Sequence, residues 1–384
     1  MSQFFSALVA AFVGYSASVA VVLAAAQAMG ATPAQTVSWV AGLAIAQALA
    51  GFFLSWRHRM PIICAWSTPG AALIASASGA DIASAVGAFL AAAVLMMATA
   101  AFRPLGALVG RIPMSIAAAM LAGVIFRFVV AVFDEMRLQP ILVLTLLVVF
   151  LLARLWSPFL GVIAALGAGL ALAFATGTAT LPAGPVALTH IELIVPHLDF
   201  TAIAGIGIPL YLVTMAAQNL PGFAVLRAAG YQPPTASCLF VTGLMSFLTA
   251  PTGAHMVNMA AISASICTGA DTHPDPKERW KAGIWYALFY LAIAATTGLL
   301  LALILAMPKA LIVAVAGLGL VGSLTGALGQ AMGSDKDRFA AVVTFAVAAS
   351  SLSLFGVGSA FWSLVAGLMV LTLDHAAGRL RGRS

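Results

Sequence analysis

Charge is what this chain has least of. Asp, Glu, Lys and Arg make up 7% of its 384 residues and hydrophobic residues 63%, whereas soluble domains carry about 25% charged residues. A water-facing surface cannot be assembled from so few, so the sequence describes an integral membrane protein. The eleven acids all sit in or beside loops, none clearly inside an apolar run. A cation path lined by carboxylates is thereby disfavoured, and an anion site fits.

Other absences narrow the function further. Cys64, Cys238 and Cys267 lie in apolar segments without a CxxC or a Cys/His pairing, so they read as buried free thiols, with no metal site and no cofactor. There is no GxxxxGK[ST] to cradle a nucleotide, no HExxH, and no Ser/His/Asp set. Gly317, Gly319 and Gly322 spell GxGxxG, but no strand precedes them, and close helix packing explains them. No enzyme is expected. The net charge of +6 reports membrane topology here and not nucleic-acid binding.

What is present is a series of helix-length apolar runs, too long for the alternating strands of an outer-membrane barrel. The opening MSQFFSALVAAFVGYSASVAVVLAAA has no basic n-region and reads as a first span, not a signal peptide. Breaks at charges, prolines and glycines give about fourteen spans. The first seven run near 4–28, 34–55, 62–78, 82–102, 112–132, 139–154 and 158–176. A loop with Pro182, Pro185 and Pro196 follows, and then spans near 200–220, 233–248, 249–268, 280–306, 309–331, 339–355 and 358–374.

The basic residues orient this series. With a cytoplasmic N-terminus, the inside loops hold Arg57, Arg59, Arg103, Arg111, Arg154, Arg227, Lys277, Arg279, Lys281, Lys336, Arg338, Arg379, Arg381 and Arg383. Arg137 and Lys309 fall outside, and Arg127 lies within a span, where it is expected to snorkel towards Asp134 or Glu135. Both termini are therefore placed on the cytoplasmic side.

The chain also echoes itself. GATPAQTVSWVAGL begins at Gly30 and GYQPPTASCLFVTGL at Gly230, with Pro33 and Pro233 in matching places. IPMSIAAAMLAG (112–123) is echoed by MPKALIVAVAG (307–317). On the topology above, the echoes face opposite sides of the membrane. The fold class is therefore an all-α polytopic protein built as an inverted repeat of seven plus seven spans: residues 1–176, a connecting loop 177–199, and residues 200–384. Inverted halves mark secondary transporters.

Two spans carry the chemistry. CAWSTPGAAL (64–73) places Ser67, Thr68, Pro69 and Gly70 in the middle of a buried segment, and LTAPTGAHMVNMAA (248–261) places Thr252, Gly253, Ala254, His255 and Asn258 in its counterpart. Each reads as an extended piece followed by a half-helix, beginning near Pro69 and near Gly253. Two half-helix N-termini meeting near the midplane, at Gly70 and Ala254, would favour an anion between them. A proline kink with back-bonded hydroxyls is the plainer alternative. In PLYLVTMAAQNLPG (209–222), Gln218 and Asn219 either glue helices together or offer an amide to a carboxylate. Tyr15 holds the related place in the first span. His255, the one histidine in a span core, is a proton-coupling candidate or a simple hydrogen-bonding group.

AWSTPGAAL, IPMSIAAAMLAG, PLYLVTMAAQNLPG, HPDPKERW (273–280) and GSAFWSLVAG (358–367) together resemble the bacterial benzoate/proton symporter family over nearly the whole chain. The resemblance implies uptake of benzoate or a similar aromatic carboxylate with a proton across the inner membrane. That family is similar to the uracil and nucleobase permeases and the sulfate permeases. Their fold implies a core of spans 1–4 and 8–11 moving against a gate of spans 5–7 and 12–14. Nucleobase permeases carry carboxylates where this chain has Gln218 and near Val257, and the loss of both suits an anionic ligand. A homodimer is compatible with this reading, and nothing in the residues requires one. Other small anions, nucleobases and a passive anion channel are the competing substrates and mechanism.

Overall fold

The structure is a computed structural model. It describes residues 2–16, 18–77, 80–102, 113–156, 158–179, 189–350, 352–354 and 357–381. Arg103, Arg111, Pro182, Pro185 and Arg383 lie outside the described residues. Among those described, eight helical segments are long and apolar enough to cross a membrane, and four shorter apolar helices accompany them. Two broken segments complete the expected fourteen spans.

Span 1 comprises Gln3–Ser16 and Val19–Ala28, and span 2 is Pro33–His58. Span 3 is strand β1 (Cys64–Trp66) followed by the half-helix Thr68–Ser76. Spans 4 to 7 are Ile82–Ala101, Met114–Leu138, Pro140–Ala153 and Pro158–Ala175. Span 8 runs from Phe200 to Ala228, and span 9 is Thr235–Thr249. Span 10 holds a short turn Ala250–Thr252, strand β2 (Val257–Met259) and the half-helix Ile262–Thr268. Spans 11 to 14 are Trp280–Leu305, Lys309–Met332, Arg338–Ala349 and Ser359–Arg381.

The packing repeats after exchange of each span with the one seven places later. Span 2 lies against span 11, and span 9 against span 4. Span 1 packs on the span 10 half-helix as span 8 packs on the span 3 half-helix. Spans 6 and 7 pair as spans 13 and 14 do, and spans 5 and 12 face each other. The sequence echo has a local cause. Gly30 and Gly230 both close a helix in the left-handed region, at φ 71° and 87°. Their N–H groups reach the Gln27 and Arg227 carbonyls at 3.0 Å, and the next N–H groups reach back to Ala26 and Leu226 at 3.0 Å. Glycine alone adopts that conformation freely. Thr32 then opens span 2 with a capping box to Gln35.

Two boundaries differ from expectation. Span 8 continues past 220 through Pro221 to Ala228, because two wider turns, Ile203–Gly207 and Met215–Asn219, adopt π geometry just before Pro209 and Pro221. A π turn shifts the hydrogen-bond ladder so that a following proline, which has no N–H to give, is accommodated without a break. Span 13 ends at Ala349, short of 355, and a two-residue hairpin of β3 (Ser353–Leu354) and β4 (Val357–Gly358) leads into span 14. Glu135, the expected partner of Arg127, instead pairs with Lys309 at 3.3 Å, tying the end of span 5 to the start of span 12. Arg127 itself is exposed.

Candidate functional site

Strands β1 and β2 run antiparallel, with Cys64 opposite Met259, Ala65 opposite Asn258 and Trp66 opposite Val257. The ladder continues on both sides: Ser67 N–H donates to the Met256 carbonyl at 2.9 Å, and Ala260 N–H to Ile63 at 2.9 Å. Extended backbone at membrane depth must find partners within the protein, since each unpaired group there costs several kcal/mol. Here each broken span supplies them to the other. Three residues suffice because the ladder is enclosed: β2 is wholly buried, as are Cys64 and Trp66.

At the end of β1, Ser67 caps the half-helix of span 3. Its Oγ accepts from Gly70 N–H at 3.1 Å and lies 2.9 Å from Thr214 Oγ1 of span 8. Pro69 has no N–H, so Thr68 N–H is left without a partner among the described residues. The Thr68 side chain is half-buried and likewise unbonded. This helix end carries about half a positive charge. Gly70 is not a ligand-facing gap: a Cβ there would meet Leu210 Cδ1 at 2.4 Å.

The second half-helix does not begin at Gly253 or Ala254, as the sequence reading expected; it begins at Ile262, beyond β2. Gly253 turns the chain at φ 91°, and Thr252 Oγ1 donates back to the Thr249 carbonyl at 2.7 Å. Thr252 and Ala254 press against Gly42 of span 2, where a Cβ would fall 1.9 Å from Thr252 Oγ1. An anion between helix ends at Gly70 and Ala254 is therefore ruled out. The stretch that corresponds to Ser67–Pro69 is Ala261–Ser263, whose cap position has no side-chain oxygen and which has no proline to mark it.

Three candidates are fully engaged in holding the crossing. Trp39 Nε1–H of span 2 donates to His255 Nδ1 at 3.1 Å, and the His255 Nε2–H donates to the Ser67 carbonyl at 3.0 Å. The indole can only donate, so Nδ1 carries no proton and the ring is the neutral Nε2–H form. The expectation that His255 carries the coupling proton meets this obstacle: a proton on Nδ1 would face the indole N–H and expel it. Asn258, its amide oriented to satisfy its neighbours, accepts from Ser67 N–H at 3.0 Å and donates to the Met259 carbonyl at 2.9 Å. Asn219 Oδ1 accepts from Met259 N–H at 2.9 Å, and its Nδ2 meets the sulfurs of Met96 and Met215.

Gln218 and Tyr15 differ. Gln218 sits in the second π turn of span 8, half-buried, with no hydrogen bond to a described side chain. Tyr15 packs at a tilt against Trp66 with ring centroids 5.7 Å apart, and its hydroxyl has no partner among the described residues. The span 3 half-helix and this π turn both pack against span 5. Thr68, Gln218 and Tyr15 are thus the expected residues that keep free polar groups around the crossing, while Ser67, Asn219, Thr252, His255 and Asn258 use theirs within the protein. The sequence reading missed Trp39, Thr214 and Gln47. Their one signal is a polar or indole group inside an otherwise apolar helix.

Paired broken spans from inverted halves, with unpaired polar groups around their crossing, define a multi-pass membrane transporter. The family model described as BenE, Benzoate membrane transport protein, matches residues 1–373. The chain belongs to that benzoate membrane transport family. It is 37% identical to Inner membrane protein YdcO of Escherichia coli (strain K12) over 377 residues, covering 97% of this chain and 96% of that one. It is 30% identical to the Benzoate membrane transport protein of Acinetobacter baylyi (strain ATCC 33305 / BD413 / ADP1) over 373 residues, covering 96% and 94%. In three dimensions it is similar to the transmembrane domain of the cyanobacterial bicarbonate transporter BicA, with a TM-score of 0.61 at 12% identity over 95% of this chain and 96% of that one. SLC26A9 gives a TM-score of 0.67 at 14% identity over 96% of this chain and 65% of that one. At these identities the two structures speak to the fold, an inverted repeat.

Proposed function

We propose that the protein imports benzoate or a similar aromatic carboxylate together with a proton across the inner membrane, with both termini cytoplasmic. The observation that carries this reading is the capped N-terminus of the span 3 half-helix, which holds a free Thr68 N–H in a chain whose acids all lie in loops or towards span ends. A carboxylate there meets the helix dipole, the Thr68 donors and the amide of Gln218. Tyr15 and Trp66 provide the aromatic surface for the ring. Spans 1–4 and 8–11 form the body that carries this site, moving against spans 5–7 and 12–14. Span 5, packed on both the half-helix and the π turn, is where the two bodies meet.

The test is labelled benzoate uptake into proteoliposomes with and without an inward proton gradient. Protein-free liposomes run alongside, because neutral benzoic acid crosses bilayers unaided. Saturable, gradient-driven uptake that Gln218→Ala reduces at least tenfold supports the reading. Uptake equal to that of empty liposomes, with sulfate, bicarbonate or uracil competing for the site instead, overturns the substrate assignment. Current that does not saturate with substrate overturns carrier transport in favour of a channel.

A further inference from the structure

Behind the crossing, away from span 5, lies a set of polar groups that the carboxylate site does not use. Gln47 of span 2 is fully buried, and both its Oε1 and Nε2 lack partners among the described residues. Tyr286 of span 11 is 1% exposed, with an unpartnered hydroxyl. Tyr290, one turn on, packs at a tilt against Tyr286, with ring centroids 4.8 Å apart, and edge-to-face against Trp66 at 5.8 Å. Its hydroxyl lies beside the Gln47 amide and reaches the Ala11 carbonyl at 3.5 Å. Ser263 of the span 10 half-helix sits within the same group: a Cβ on Gly14 would lie 3.1 Å from both Ser263 Oγ and Tyr290 Oη, and 3.6 Å from Tyr286 Oη.

This group continues towards the membrane face that holds the N-terminus. Ser263 Oγ donates to the Ala10 carbonyl at 3.2 Å. One helical turn earlier, about 5.4 Å along span 1, the fully buried Ser6 Oγ accepts from Thr272 Oγ1 at 3.0 Å. Thr272 precedes the exposed loop at His273. At the other end, Tyr15 touches Trp66, whose indole donates to Ser18 Oγ at 2.7 Å. Hydroxyls and one amide thus form a column from the crossing to that face, between spans 1, 2, 10 and 11. Helix packing needs none of them, and an ordinary core would fill these positions with apolar groups at no loss.

We infer that this column, Gln47, Tyr290, Tyr286, Ser263, Ser6 and Thr272, is the route by which the coupling proton leaves the carboxylate site for the cytoplasmic side. The inference rests on the proton-symport reading above. It supplies a path in a protein whose one span-core histidine is tied up on both nitrogens. For a proton to pass, the Tyr290, Ser263 and Thr272 hydroxyls turn away from the Ala11, Ala10 and Ile266 carbonyls that they bond at rest. Each then takes one proton on oxygen and releases its own to the next, so every O–H bond broken is matched by one formed, and one proton moves in total. A water bridges the turn between Ser263 and Ser6, where the hydroxyls do not touch. Gln47, whose amide lies beside the Tyr290 hydroxyl, does not itself titrate.

The experiment separates proton movement from substrate movement. Tyr290→Phe, Gln47→Leu and Thr272→Val proteins are reconstituted and measured in two ways against protein-free liposomes. The first is benzoate counterflow, with the same concentration on both sides and no net proton transfer. The second is benzoate accumulation driven by an inward proton gradient, with internal acidification followed by a trapped pH dye. The expected result is counterflow within twofold of the unaltered protein, with gradient-driven accumulation and acidification reduced at least tenfold. Accumulation unchanged in all three variants overturns the route. So does a parallel loss of both activities in Tyr290→Phe and in the distant Thr272→Val, which assigns the column to structure. Gradient-independent uptake by the unaltered protein would instead sink the symport reading itself.

Discussion

Removing the His255 imidazole separates a structural tie from a proton carrier. In His255→Leu the Trp39 indole N–H loses its partner inside a fully buried site. The Ser67 carbonyl loses one of two bonds, since it still accepts from Ala71 N–H at 2.8 Å. An orphaned buried donor costs about 1–3 kcal/mol, and one missing bond to a carbonyl that keeps another costs about 1 kcal/mol. The sum, about 2–4 kcal/mol, corresponds in a chain of 384 residues to a fall in melting temperature on the order of 2–5 °C. The buried thiols of Cys64, Cys238 and Cys267 make the assay simple: a thiol-reactive fluorophore reports their exposure as the purified protein is heated. His255→Gln is the informative companion, because an amide offers one acceptor and one donor but cannot take up a proton. It should recover most of the lost stability and keep gradient-driven uptake. A His255→Gln protein as stable as the original, transporting benzoate by counterflow yet indifferent to the proton gradient, would refute the tie and make His255 the carrier.

Three further outcomes follow from the geometry. Asn219→Leu strands the Met259 N–H at the end of β2 and should lower stability by about 1–3 kcal/mol, whereas Gln218→Leu should leave the melting curve in place and abolish saturable uptake. Gly42→Ala drives a methyl into Thr252 and should cost about 1–3 kcal/mol, read as loss of monodisperse protein in detergent. Gly322→Ala, with open space around it, should be neutral or slightly stabilising. Asp81 caps span 4, and the Ser84 N–H and hydroxyl beside it hold its carboxyl below the usual range. A depressed folded-state value contributes stability above the unfolded value near pH 4 and loses it as pH falls through the folded one. Asp81→Ala should therefore destabilise by about 1 kcal/mol at pH 7, with the gap to the unaltered protein closing below pH 4 in parallel melts.

Much of the architecture was legible because hydropathy and two left-handed glycines each leave a mark in one dimension. Gly30 and Gly230 could be matched by eye, and their identical helix-ending bonds explain why. The first broken span was legible for the same reason: Ser67 and Pro69 are the residues a buried helix start requires. The second was not. Its helix starts at Ile262 behind Ala261, which has no side chain to cap it and so leaves no mark in the sequence. The conspicuous Pro251, Thr252 and Gly253 form only the turn before the strand. Whether a polar side chain serves a ligand or the scaffold was equally hidden. Gln218 and Asn219 are neighbours in sequence, yet the π turn leaves one free and locks the other onto β2.

The crossing of β1 and β2 is a main-chain ladder clamped by His255, Asn258, Asn219 and Ser246, while Tyr15, Thr68 and Gln218 take no part in the clamp. A scaffold of this kind does not record what it carries. The side chains outside the clamp can be exchanged, a carboxylate for an amide or a methyl for a hydroxyl, without disturbing the joint beside which they hang. Proteins that agree at 12–14% of positions can therefore share the fold, and on the function proposed above the choice of cargo falls to a handful of residues such as Tyr15, Thr68 and Gln218. Changing what this transporter recognises would be a matter of redecorating a joint, not of redesigning it.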